Sequence, residues 1–192
     1  MTNSYERITA HDGGEFEAFC RFERKDESGL ADAFGMVQSF DWATAVQDMT
    51  ATVAHLLAMP ESTGTVGGVG FCFGGTLAYL FAASCQVDRR GPDAAVSYYG
   101  SGVYTMLNLM DDVTCPLLFH YGARDPFIPE DQIDLVAAAA QGRANVTLHR
   151  YDAGHAFSNW DAPSMYEKAA ADLAWERTLD FLGTYLGRRA SQ

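Results

Sequence analysis

The chain has 192 residues, enough to bury a sizeable core, and its 48% hydrophobic and 20% charged content is ordinary for a soluble globular protein. A net charge of −12 argues against nucleic acid and anionic membrane surfaces as partners. The first dozen residues have no apolar run of the signal-peptide kind, and the four cysteines show no C-x-x-C or metal spacing, so one domain over 1–192 with free thiols in a reducing cytoplasm is expected.

Residues 4–10 and 15–22 read as two strands around His11-Asp12-Gly13-Gly14, a turn sequence that predicts a hairpin. Phe16, Ala18, Cys20 and Phe22 share one face of the second strand, with Glu15, Glu17 and Arg21 on the other. A charged loop at 24–29 precedes a helical stretch over 30–59, better defined from Asp41. Trp42, Ala45, Val46, Met49, Val53, Leu56 and Leu57 fall at helical spacing, and Pro60 ends the pattern. His55 within it reads as a polar-face or internally satisfied histidine.

Residues 66–87 carry no charge, so a membrane span has to be weighed. Glycines at 67, 68, 70, 74 and 75 break the run into a buried strand (66–71), a turn (72–75) and an apolar helix (76–87). The turn centres on Gly70-Phe71-Cys72-Phe73-Gly74, the nucleophile-elbow pattern G-x-S-x-G with sulfur in place of oxygen. Such a turn crowds its own backbone, so side chains at 70 and 74 are expected to clash. It also aims Cys72 at a helix N-terminus, where free N–H groups favour a thiolate and an oxyanion. The plainer reading is a glycine-rich junction with an inert cysteine.

Beyond it, 87–92 reads as a polar loop, 94–99 as a second buried strand, 101–112 as irregular or partly helical, and 116–121 as a third strand. An Ala-rich helix (130–141), a fourth strand (145–151) and a long final helix (164–186) complete the pattern. Strands alternating with helices predict a mostly parallel α/β sheet with helices on both faces.

Functional groups in such sheets gather at the carboxyl ends of the strands. Cys72, Asp125 and His155 follow the first, third and fourth of these strands, in the chain order nucleophile, acid, base. His155 would take the thiol proton or hold a thiolate as an ion pair, Asp125 would orient the imidazole, and the Phe73 N–H would stabilise an oxyanion. Taken singly, Asp125 could be a turn residue and His155 a cap; their conjunction at strand ends favours the triad.

The elbow G-F-C-F-G-G, with Y-G-A-R-D-P-F-I-P, D-A-G-H-A-F and W-E-R-T-L-D-F-L, resembles the dienelactone hydrolase (carboxymethylenebutenolidase) family, an α/β-hydrolase family. The resemblance runs from about Phe34 to the C-terminus, with the hairpin as a second block. It implies hydrolysis of a small ester or lactone through a thiol acyl-enzyme, with no metal and no cofactor. It puts Cys72, Asp125 and His155 on the family's triad and Tyr99 and Phe127 on pocket-lining positions. Trp160 would border the pocket or pack on a loop, while His120 and His149 read as structural. The family's carboxylate-holding arginines do not carry over, since Asn159 follows the His155 turn and Leu30 stands where another would be sought, so neutral or weakly anionic substrates are expected; a preference for a free acid would point to another cation such as Arg124. Between hairpin and helix the family also has two central strands and the loop carrying a second oxyanion donor and a carboxylate near the nucleophile. Here the charged loop alone fills that interval. The elbow strand is then expected to be covered by the hairpin or by a second copy, as a homodimer. A shortened, weakly active or non-catalytic binding homologue and a redox protein using Cys72 alone are the rival readings.

Overall fold

The structure is a computed structural model that describes residues 7–9, 15–17, 35, 37 and 39–187. Strands β1 (Arg7–Thr9) and β2 (Glu15–Glu17) pair antiparallel, with Ile8 opposite Phe16. The predicted hairpin is therefore present over these rungs, as a sheet of its own. Its turn, Cys20 and residues 30–34 lie outside the described residues.

Helix α1 (Trp42–Ala58) starts where Asp41 caps it. One carboxylate oxygen of Asp41 accepts from the Ala43 and Thr44 N–H groups at 3.0 and 3.2 Å. The expected apolar stripe is only partly used. Val53 is buried and Val46, Met49 and Leu57 pack on the core, but Trp42 and Leu56 remain exposed.

Four parallel strands follow, ordered β3 (Gly67–Phe71), β4 (Ala94–Tyr98), β5 (Leu117–Gly122) and β6 (Val146–Tyr151). Central β4 and β5 are buried at every residue, which is why they read as unbroken apolar runs. Helices cover both faces. A Cβ at Gly67 would meet Leu186 of α4 (Lys168–Leu186), and one at Gly68 would meet Phe81 of α2 (Phe73–Ser84). Helix α3 (Glu130–Ala140) and a kinked 3₁₀ segment (Val103–Asp112) complete the set.

Several boundaries differ from expectation, two of them at helix starts. Helix α2 begins at Phe73, because the turn is compressed into Cys72 alone. Helix α4 begins at Lys168 rather than 164, because Glu167 is drawn aside to accept from the Gly154 N–H at 2.8 Å. Among the described residues no helix is long and apolar enough to cross a membrane.

Strand β3 is the sheet's edge, and among the described residues the hairpin does not pair with it. The Val66 carbonyl accepts from Asp93 N and the Cys72 N–H donates to the Tyr98 carbonyl, at 2.8 and 3.0 Å. Backbone groups alternate along a strand, so Gly67, Val69 and Phe71 turn theirs outward. Val69 and Phe71 are 40% and 45% exposed. The buried strand expected at this place is half uncovered.

Candidate active site

Cys72 has φ 55° and ψ −118°, a left-handed conformation that a non-glycine residue adopts at a cost. The fold imposes it by close approaches. A Cβ at Gly70 would lie 1.8 Å from the Gly74 carbonyl oxygen, and one at Gly75 would lie 2.3 Å from that of Tyr98. A Cβ at Gly74 would meet nothing within 4 Å. The expected clash at 74 is thus displaced by one residue, because the first turn of α2 presses Gly75 onto the end of β4. Among the described residues the other non-glycine positive-φ positions are Tyr99 and Ala156, also in this region, and Asp88 and Arg89 in a turn.

The carboxyl ends of β3, β5 and β6 bring the predicted trio together. His155 Nε2 lies 3.1 Å from Cys72 Sγ, and His155 Nδ1 lies 2.7 Å from Asp125 Oδ2. The Asp125 side chain is fully buried, and its other oxygen accepts from the Phe127 and Ile128 N–H groups at 2.8 and 3.2 Å. The loop after β5 therefore holds the carboxylate rigidly. Burial is the largest influence on His155 and pushes its pKa down. The hydrogen bonds to Asp125 and Cys72 and their negative charges together outweigh it and raise the pKa to about 9. The imidazolium is the form this setting favours, with both ring nitrogens donating.

A cleft of about 390 Å³ opens at Cys72, walled by Phe71, Tyr99, Ser158, Asn159, Trp160 and Asp161 among others. Tyr99 and Trp160 both line this cleft. Phe127 does not line this cleft; it is exposed, and its ring meets His155 edge-on at 5.2 Å. Phe73 places its backbone N–H at the start of α2, while its ring packs on Phe40 and Trp42 at 4.8 and 5.3 Å. Arg124, the cation to which a preference for a free acid would point, is engaged by Asp152 at 2.6 Å and Glu167 at 2.7 Å. His120 is structural as read, buried between Tyr151 and Thr178 at 2.7 and 3.0 Å. A larger cavity, about 540 Å³, lies between α1 and the β3 edge, lined by Met49, Val53, Leu56 and Phe81 among others. The predicted trio does not border it, whereas Cys72 lines the smaller cleft.

Sequence reasoning missed Phe71, which walls the cleft although its strand read as buried. No local signal could have found it, because its exposure follows from the edge position of β3. It also missed Glu167, which ties Arg124 and Gly154 together; no local pattern signals a contact across that separation.

The dienelactone hydrolase family model matches residues 12–186. This chain belongs to the dienelactone hydrolase family. It is 39% identical over 159 residues to a carboxymethylenebutenolidase of Pseudomonas putida, covering 82% of this chain and 65% of that protein. Carboxymethylenebutenolidase 1 of Cupriavidus pinatubonensis is 32% identical over 150 residues, covering 78% and 62%. A solved dienelactone hydrolase-type structure from Klebsiella pneumoniae superposes with a TM-score of 0.70 at 26% identity, covering 85% of this chain and 69% of that one. The fold is accordingly the α/β-hydrolase one. The chain spans a little under two thirds of the length of these curated relatives, 65% and 62%.

Proposed function

We propose that the chain hydrolyses small carboxylic esters or lactones through Cys72, His155 and Asp125. The observation that carries this reading is the pair of contacts on one imidazole, 3.1 Å to Cys72 Sγ and 2.7 Å to Asp125 Oδ2, at a strained strand-to-helix turn. The lactone class follows from the relatives' names.

The Cys72 thiolate attacks the acyl carbon, and the carbonyl electron pair moves to oxygen beside the Phe73 N–H. Collapse forms the thioester and expels the alkoxide, which takes the proton from His155 Nε2. In a lactone that alcohol stays tethered to the acyl group. Neutral His155 then accepts a proton from water as its hydroxide attacks the thioester. The carboxylic acid leaves, and the thiolate–imidazolium pair is restored. Asp125 keeps Nδ1–H pointed at itself throughout.

A panel of short-chain esters and lactones, with Cys72→Ala as control, tests the reading. Turnover and an acyl adduct on Cys72 by mass spectrometry are expected, with activity falling by roughly a thousandfold or more in the variant. Absence of both turnover and adduct overturns the reading.

A weakly active or binding homologue is the second reading. It is favoured by the edge position of β3, since among the described residues no neighbour on that side brings a second oxyanion donor. Loss of one donor costs about a hundredfold or more in rate.

A further inference from the structure

A second cleft of about 400 Å³ adjoins the first and shares Phe71, Ser158 and Trp160 with it. Its remaining walls include Tyr98, Tyr166 and Trp175. The Tyr98 ring lies 4.6 Å from that of Phe71, and its hydroxyl is engaged by Thr178 Oγ1 at 2.6 Å. Tyr98 is itself fully buried and backs the Phe71 ring from behind, with its polar end already satisfied, so the rings that face the cleft are the exposed Phe71, Trp160 and Trp175. The charged side chains among the described lining residues are Asp161 in the first cleft and Asp172 in the second. No lysine or arginine is among them. Arg124 is held by two carboxylates, and Lys168 pairs with Asp172 at 2.5 Å outside the cleft lining.

From this we propose that the second cleft is a subsite for an uncharged apolar arm, aromatic in size, of the ester that Cys72 attacks, and that it rejects a substrate carboxylate. The inference rests on the hydrolase reading for the reaction, but the subsite itself stands on shape and charge. An arm extending from Cys72 past Phe71 reaches a wall of aromatic rings. A ring seated there gains buried apolar area and edge-to-face contacts. A carboxylate seated there loses its water, meets Asp161 and Asp172, and finds no cation among the described lining residues. This sets the chain apart in substrate charge from any enzyme that must bind an acid group beside its scissile bond.

Three methyl esters with the same leaving group test the subsite: methyl hydrocinnamate, methyl butyrate and monomethyl succinate. The expected order of kcat/KM is hydrocinnamate above butyrate by roughly tenfold or more, with succinate below butyrate. Trp175→Ala should bring the first ratio towards one. A second arm needs no turnover. Cys72→Ala protein is titrated calorimetrically with benzylacetone, methyl propyl ketone and levulinate, which mimic the three esters. Benzylacetone should bind tightest and levulinate weakest. If that order holds while no ester is turned over, the reaction fails and the subsite stands. Preference for the succinate ester or levulinate, or no difference within either series, overturns the subsite even if esters are hydrolysed.

Discussion

Cys72 is the exposed thiol among the described cysteines, whereas Cys85 and Cys115 are buried and lean on the Val46 and Ala82 carbonyls at 3.7 and 3.9 Å. Burial pushes Cys115 up to about 11. Iodoacetamide should therefore modify Cys72 at least about tenfold faster than either at neutral pH. Equal rates would remove the reactive-thiol reading. His155 gives a pH prediction. In the proposed reaction its proton serves the departing alkoxide, so kcat/KM should fall on the alkaline side with a midpoint near its raised pKa of about 9. Asp125→Asn should move that midpoint down, because it removes a hydrogen-bonded charge from Nδ1. An unmoved midpoint would mean that another group sets it. The same raised pKa adds stability that is complete below about 6.5 and is lost as pH climbs through about 9.

The β3–α2 element is specified by backbone contact. Gly70→Ala and Gly75→Ala should each destabilise by about 3 kcal/mol or more, since backbone oxygens occupy the new methyl positions. Gly74→Ala, with open space around it in a helix, should be neutral or stabilise by up to about 1 kcal/mol. Urea melts of the three variants decide this, and similar losses at all three would refute the packing account. In β5, burial is the main cause holding His120 down to about 3, helped by the charges of His149 and Arg177. An unfolded chain binds a proton there below about 6.5, so His120 favours unfolding as pH falls from about 6.5 towards 3. Replacing it with Gln should flatten the acid side of a stability–pH curve. A curve of unchanged slope would assign the acid sensitivity elsewhere.

At the level of the whole molecule, the outward backbone groups of β3, unpaired among the described residues, point to self-association. Gly67, Val69 and Phe71 carry no charge and include no proline, the usual protections of an exposed edge. The chain is expected to self-associate through this edge, with a sedimentation mass near twice its own 20.9 kDa. Val69→Lys should return it to the monomer mass. A wild-type chain that stays monomeric at high concentration would show that the edge is protected in another way.

Much of the candidate site was legible in the sequence. Cys72, Asp125 and His155 stand directly after apolar runs, and a parallel sheet brings the ends of such runs to one side whatever the details of packing. The strand and helix order was readable for the same reason, since hydrophobic periodicity is local. What only the tertiary structure decided depends on contacts between distant residues. The clash belongs to Gly75 because the end of β4 lies above it, and α4 starts late because Glu167 is recruited by Gly154 and Arg124. Arg124 is held by Asp152 and Glu167, which converge on it from two distant loops. Phe71, apolar and next to Cys72, reads as core until the sheet order leaves β3 at the edge, and that order is set by which strands meet in space.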